Sequence, residues 1–442
     1  MSTIKTQGWG RYPTIEARVL EARDVPQARE LLIQAGDSPL IARGNGRSYG
    51  DSALAGTLLA SRYLDHFIDF DTRQGLLTCA AGATLDALLK LIVPKGWFLP
   101  VVPGTRFVCV GGAIASDIHG KNHHRDGCFS EFVDSLDLML ADGTTVSCSR
   151  TENGDLFHAT CGGMGLTGMI LSARLRLLAI KSASLEQTTV VAPSLNAVMD
   201  AFESHQNAHY SVAWLDCMAG GRDTGRSLLY LGEHSEQGRL IPHGEPRLSV
   251  PFSTPGMLLN TMTMGAFNRL YFAMGQRGKA VRQLHYGPFF FPLDGISHWN
   301  RLYGGRGFLQ YQFVVPTEGA RAAITAVLGK VQAQGKGSFL SVLKKMGKAN
   351  QNLLSFPMDG YTLTLDFKFQ RSLMPLLDEL DAIVLDHGGR LYLAKDARMS
   401  KKVFRASYPH WETFMEIRHR VDPRGVFGSL QSQRLGLSGE AA

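Results

Sequence analysis

Three glycine-rich clusters near the N-terminus constrain this chain more than any other feature. They are Ala42-Arg43-Gly44-Asn45-Gly46-Arg47-Ser48-Tyr49-Gly50-Asp51-Ser52, Pro103 to Gly120, and Cys161-Gly-Gly-Met-Gly-Leu-Thr-Gly168. Residues 44–50, 104–127 and 162–168 hold 12 glycines in 38 positions, a far denser supply than the 48 in 442 of the whole chain. Without a Cβ, a backbone turns tightly and lets a ligand approach, and successive amide N–H groups in such turns cradle phosphate oxygens. One such turn is commonplace; three within a single domain point to a dinucleotide with a pyrophosphate. The doubly wound nucleotide fold does not fit, because no GxGxxG sits between a first strand and helix with an acidic residue about 20 positions on. A GxxxxGK[ST] phosphate loop is absent as well.

The pattern around the clusters predicts an α+β fold. Val25 to Ala35 has helical spacing, and Pro39 to Arg43 is a short buried strand running into the first glycine loop. Ala83 to Pro94 is a second helix with Thr84 as its cap, followed by a strand-like Phe98 to Val102. Small residues from Val110 to Gly120 enter a helix, Leu136 to Ser147 is a hairpin turning at Asp142-Gly143, and Thr167 to Leu178 is a long strand. Beyond Ala179 the pattern shifts to helices and amphipathic strands. In one of these Tyr361, Leu363, Leu365, Phe367 and Phe369 share a core face, while Thr362, Thr364, Asp366 and Lys368 share a polar one. Residues 232–292 lack clear periodicity and are predicted to be a mobile lid or surface loops, not sheet. From Arg390 onward a short strand and two helices are predicted.

Charge and cysteine usage narrow the function. The formal net charge is +7, yet residues 1–180 carry 17 Lys+Arg against 18 Asp+Glu, so the basic excess lies entirely C-terminal. No RGG tract, Lys/Arg run or nucleic-acid module accompanies it, which argues against nucleic acid as a partner. The six cysteines lie far apart without a CxxC pair and are expected to be buried small hydrophobes. His119, His123 and His124 lack an HExxH glutamate or a cysteine at ligand spacing, so no metal is expected. Neither a signal peptide nor a membrane span is legible. The expected location is cytoplasmic at the membrane surface, with the periplasmic face left open.

Several strings carry a resemblance. Ile41-Ala-Arg-Gly-Asn-Gly-Arg-Ser-Tyr-Gly-Asp51, Pro103-Gly-Thr-Arg-Phe-Val, Gly111-Gly-Ala-Ile-Ala-Ser-Asp-Ile-His-Gly-Lys-Asn-His-His124, Phe308-Leu-Gln-Tyr-Gln-Phe313 and Ala394-Lys-Asp-Ala-Arg398 resemble the decaprenylphosphoryl-β-D-ribose 2′-oxidase family, flavin oxidases of vanillyl-alcohol-oxidase type. The similarity runs from Gly8 to Arg424, nearly the whole chain. It implies a two-subdomain PCMH-type FAD-binding domain over 1–180, a substrate domain over 181–389 with an antiparallel sheet flanked by helices and mobile loops near 233–292, and a C-terminal return over 390–442. It also implies that Ala42 to Ser52 wrap the diphosphate and ribitol of FAD, joined by Gly104, Thr105, Cys109, Val110, Gly111, Gly112, Ser116, Asp117, Ile118, His119, Gly120, Gly165, Gly168, Ile170 and Tyr392. Tyr49 stands near where many flavin oxidases attach FAD through a histidine, so the FAD is expected to be non-covalent.

The activity implied is oxidation of the ribose 2′-hydroxyl of a polyprenyl-phosphate sugar. A partner short-chain reductase would complete the epimerisation, quinone or oxygen would accept the electrons, and the protein would touch membrane lipid peripherally. An aldono-1,4-lactone or other sugar oxidase of the same class is the alternative. By resemblance Lys395 lies between flavin and substrate, where a cation stabilises a developing alkoxide, with His119, Tyr49 and Gln312 beside it. Gln310 and Gln312 alternate with apolar residues and suit hydrogen bonds to a sugar. Lys121, Trp214 and Lys344 complete the substrate candidates together with Thr362 and Thr364. The last two stand where mycobacterial-type members carry asparagine and cysteine, which puts attack by thiol-directed inhibitors in doubt.

Overall fold

The computed structural model describes residues 2–36, 39–246, 248–254, 260–338 and 340–438. Its architecture is α+β. In the first sheet the order is Ser2–Gln7, Thr14–Glu21, Thr57–Ala60, Leu40–Arg43; the first pair is antiparallel and the other two are parallel. The helix Val25–Gln34 starts where the Asp24 carboxylate accepts from Gln27 N at 2.7 Å, with Pro26 in the first turn, where its missing N–H costs nothing.

The second sheet is antiparallel throughout: Phe67–Asp71, Leu76–Ala80, Met169–Arg176, Val133–Met139, Thr145–Ser149. Its last two strands form the hairpin expected at Asp142-Gly143, where Gly143 takes φ +83°. Thr84 caps the helix Leu85–Ile92, accepting from Ala87 N, and Leu85, Leu88, Leu89 and Ile92 are buried along its inner face.

The third sheet has eight strands, in the order Val281–His285, Ser184–Ala192, Ser227–His234, Tyr210–Leu215, Ser341–Met346, Gly360–Lys368, Phe308–Pro316, Arg390–Leu391, and every neighbouring pair is antiparallel. The helices Ala320–Ala333 and Met374–Asp386 pack together beside it, contributing Ile324, Val327, Leu377 and Leu380 to the core. After the eighth strand the chain returns to the first sheet, where Leu40 N donates to Val426 O at 2.9 Å and Gly428 N to Leu40 O at 2.8 Å.

Three sequence expectations need correction. Residues 232–292 are not all loop: they contain the 17-residue helix Thr261–Arg277 and the edge strand Val281–His285. The helix escaped detection because its outward face is apolar, which erases the periodic signal. Residues 247 and 255–259 of that stretch lie outside the described residues. Of the strand expected over Phe98 to Val102 only Phe98 is paired, at the end of the two-residue strand Trp97–Phe98. The return carries three helices, Lys401–Ser407, Trp411–Val421 and Leu430–Leu435, rather than two. On the polar face of Gly360–Lys368, Thr362, Thr364 and Asp366 are all buried.

Candidate active site

A cavity of about 550 Å³ lies against that polar face, and Thr364 lines it. One wall is the three glycine clusters; the other is the face of the eight-stranded sheet bearing Trp214, Gln310, Gln312, Lys344 and Thr364. Strand register sets the second wall, since Gln310 pairs with Asp366, Gln312 with Thr364, and Lys344 with Thr362. Side chains two apart point the same way, so alternation places polar groups side by side.

The glycine wall is a cradle made of backbone. Gly104 and Gly112 line the cavity, and the Cβ that each lacks would meet no atom within 4 Å, so the space beside them belongs to the cavity itself. Gly44 and Gly111 do the opposite job: a Cβ on Gly44 would come 2.9 Å from Cys109 Sγ, and one on Gly111 3.0 Å from Ala81 Cβ, so the loops can nest only without side chains. The first loop is tied at both ends of the chain, with Trp9 N donating to Ser48 O at 2.7 Å and Tyr49 N to Ala394 O at 3.3 Å. This arrangement fits a large phosphorylated ligand laid against main chain.

Most residues expected at the cofactor reach the cavity wall: Ala42 to Tyr49, Ser52, Gly104, Thr105, Cys109, Gly111, Gly112, Ser116, Ile118, His119, Gly120, Gly165, Gly168, Ile170 and Tyr392. Four do not. Gly50 packs on Asp396, whose carbonyl oxygen would stand 1.8 Å from an added Cβ. Asp51 is held by Arg434 at 2.8 Å. Val110 is core. Asp117 accepts from Asn350 and Asn352 Nδ2 and from Ser355 Oγ, each at 2.7 Å, which fastens the second cluster to a loop of the other wall. Among the substrate candidates Thr362 also stays behind the wall, donating to Phe313 O and accepting from Gln312 Nε2.

Three lysines and one histidine concentrate at one end. Lys344 Nζ lies 3.1 Å from His119 Nδ1, and Gln312 Nε2 lies 3.1 Å from His119 Nε2, so both ring nitrogens are engaged. Burial and the neighbouring Lys344 and His123 hold the His119 pKa well below its ordinary value, so the ring is neutral. Lys395 Nζ sits 3.8 Å from the centre of the Tyr49 ring, a cation–π contact. Desolvation lowers the Lys344 pKa to about 7, assisted by Lys121 and Lys395. The same cause brings Lys121 to about 7 and Lys395 to about 8, the latter supported by Asp366. Lys121 is also fastened, donating to Phe289 O and lying 4.5 Å over the Phe289 ring. His123 accepts from Gly347 N and His124 meets Ala208 O; among the described residues no three His, Cys, Asp or Glu side chains converge as a metal site. All six cysteines are buried and unpaired.

Sequence reasoning missed Asp366 as a site residue. It accepts from Gln310 Nε2 at 2.6 Å and from the Tyr303 hydroxyl at 3.1 Å, and burial raises its pKa to about 7. The signal was present, since Asp366 shares the alternating face with Thr362 and Thr364. Trp9, Tyr230, Phe267, Tyr271 and Trp299 also line the cavity without having been expected there.

The sequence that builds this site has counterparts among known proteins. Residues 17–149 match the family model of the FAD binding domain, and residues 308–435 match that of D-arabinono-1,4-lactone oxidase. Fold, cradle and matches together define an FAD-dependent oxidoreductase. Across 99 % of the chain it is 38 % identical to decaprenylphosphoryl-beta-D-ribose oxidase of Mycolicibacterium smegmatis, covering 98 % of that protein. An uncharacterized protein in the mprA 5′ region of Streptomyces coelicolor is 33 % identical over 80 % of the chain and all of its own length, and bovine L-gulonolactone oxidase is 24 % identical over 96 % of both chains. The chain belongs to the decaprenylphosphoryl-β-D-ribose oxidase family.

Proposed function

We propose that this enzyme oxidises the ribose 2′-hydroxyl of a polyprenylphosphoryl-β-D-ribose to the 2′-keto sugar, the first half of an epimerisation to the arabinose donor. The observation that carries the reading is the single cavity joining the glycine cradle to the amines of Lys344 and Lys395, in a chain similar from end to end to an enzyme named for that substrate. Residues 1–180 and 390–442 form the cofactor side and 181–389 the substrate side. A separate short-chain reductase reduces the ketone, quinone or oxygen reoxidises the flavin, and the polyprenyl chain brings the enzyme to membrane lipid.

When bound, FAD supplies the acceptor for the hydride that leaves the 2′-carbon. Ala42 to Tyr49, Gly104, Gly111 and Gly112 hold it without a covalent bond, since Tyr49 occupies the first loop and both nitrogens of His119 are engaged. The residues manage the proton. Lys344, with an amine partly neutral near pH 7, accepts the hydroxyl proton. Lys395 stays charged over Tyr49 and stabilises the oxygen as negative charge develops. Gln312 and Thr364 fix the sugar by hydrogen bonds.

Anaerobic addition of a ribosyl phosphopolyprenol to the yellow holoenzyme is expected to bleach the flavin, and acid precipitation to release all of it. Bleaching by aldonolactones alone would select the alternative, for which the match over residues 308–435 speaks.

A further inference from the structure

The helix Thr261–Arg277 is unusual for an element at the surface. Its inner side is well seated: Asn268 Nδ2 donates to Asp216 Oδ1 at 2.8 Å, the Arg226 guanidinium lies 4.8 Å from the Phe272 ring centre, and Tyr271 packs on Trp214 at 4.7 Å. The opposite side carries Met262, Leu270 and Met274, 61–85 % exposed. Helices facing water turn polar residues outward. Of the fourteen large hydrophobic side chains that stand exposed among the described residues, eight fall within 241–281, fewer than a tenth of the positions.

Charge within this segment of the chain has one sign. Arg269 and Arg277 are exposed beside the apolar residues, Lys279 and Arg282 follow, and no Asp or Glu occurs between Glu245 and Asp294. Exposed Met and Leu mixed with arginine and no acid is the composition of a helix lying in the headgroup boundary of an anionic bilayer. A second copy docked across a two-fold axis would instead oppose the same arginines to one another.

Position connects this face to the site. Phe267 and Tyr271, on the inner edge of the same helix, line the cavity with Trp214 and Tyr230, and the two tyrosine hydroxyls are bonded at 3.0 Å. We propose that the outer face of Thr261–Arg277 docks on an anionic membrane surface, so that a polyprenyl chain enters the cavity along the aromatic wall of Trp214, Tyr230, Phe267 and Tyr271. This rests on the polyprenyl substrate proposed above.

The test is co-sedimentation of the FAD-loaded full chain with phosphatidylcholine vesicles, with and without phosphatidylglycerol. Wild type is expected to sediment only with phosphatidylglycerol present. Binding should fall roughly fivefold for each of Arg269→Gln and Arg277→Gln, and about tenfold or more for the double variant Leu270→Ser/Met274→Ser. Flavin bleaching by a water-soluble, short-chain ribosyl phosphate ester should be unchanged in every variant, which controls for folding. Vesicle binding that is absent in wild type, or equal in wild type and variants, overturns the proposal. Self-association lost in the variants without any effect on vesicle binding also overturns it and assigns the face to a second copy. If the ester fails to bleach the flavin while vesicle binding holds, the substrate reading fails and the docking surface stands.

Discussion

Lys344 and Lys395 divide the proton chemistry because their surroundings differ. Burial lowers the pKa of both amines; Lys344 is further pressed by Lys121 and Lys395, whereas Lys395 has the Asp366 carboxylate and the Tyr49 ring in its favour. Catalysis by the proposed roles needs Lys344 neutral, above about pH 7, and Lys395 charged, below about pH 8. The profile of kcat/KM against pH should therefore be a narrow bell between those values. Lys344→Met should remove the acidic limb along with most activity, and Lys395→Ala should largely abolish turnover while retaining flavin; wild-type turnover in either would remove that residue from the mechanism. Asp366→Asn takes away the charge that holds the proton on Lys395, so its alkaline limb should move to lower pH in steady-state kinetics. Lys395 was legible from its motif, and Lys344 only from the family resemblance. Asp366 was legible only as the polar side of a strand, because its importance comes from Gln310 on the neighbouring strand.

At the scale of the element, the glycine loops and the strand Gly360–Lys368 illustrate what local pattern can and cannot reveal. Loop composition announces a cradle because the need for absent side chains is itself a sequence property. The strand announces two faces but not what the polar one meets; solvent and a cavity demand the same alternation. The cradle makes a direct prediction. A Cβ on Gly112 would meet no atom within 4 Å, and Gly112 lines the cavity. Gly112→Ala should fold with an unchanged melting temperature in the absence of added FAD, but hold its flavin more weakly and lose it on desalting. Retention of full flavin absorbance would place the cofactor elsewhere.

Across the whole molecule, the site is assembled from residues hundreds of positions apart, and one side chain shows how. Arg434 reaches Asp51 at 2.8 Å and Asp396 at 2.9 Å, tying the first glycine loop to the segment that carries Lys395. Arg434→Ala would leave two buried carboxylates without their counter-ion, a loss of roughly 3 kcal/mol. It should lower the melting temperature and weaken FAD binding together, measured by thermal unfolding with and without added FAD; an unchanged pair of transitions would refute the linkage. The sequence alone determined the cradle, the class of cofactor and the main secondary elements, because those depend on glycine content, short-range periodicity and caps, all local properties of the chain. Only the tertiary structure decided that Gly50, Asp51, Val110, Asp117 and Thr362 brace the cavity instead of lining it, that Asp366 belongs to the site, and that residues 261–277 form a helix with an apolar outer face. Each of these depends on which distant segment lies opposite, and on the desolvation that follows when the two meet.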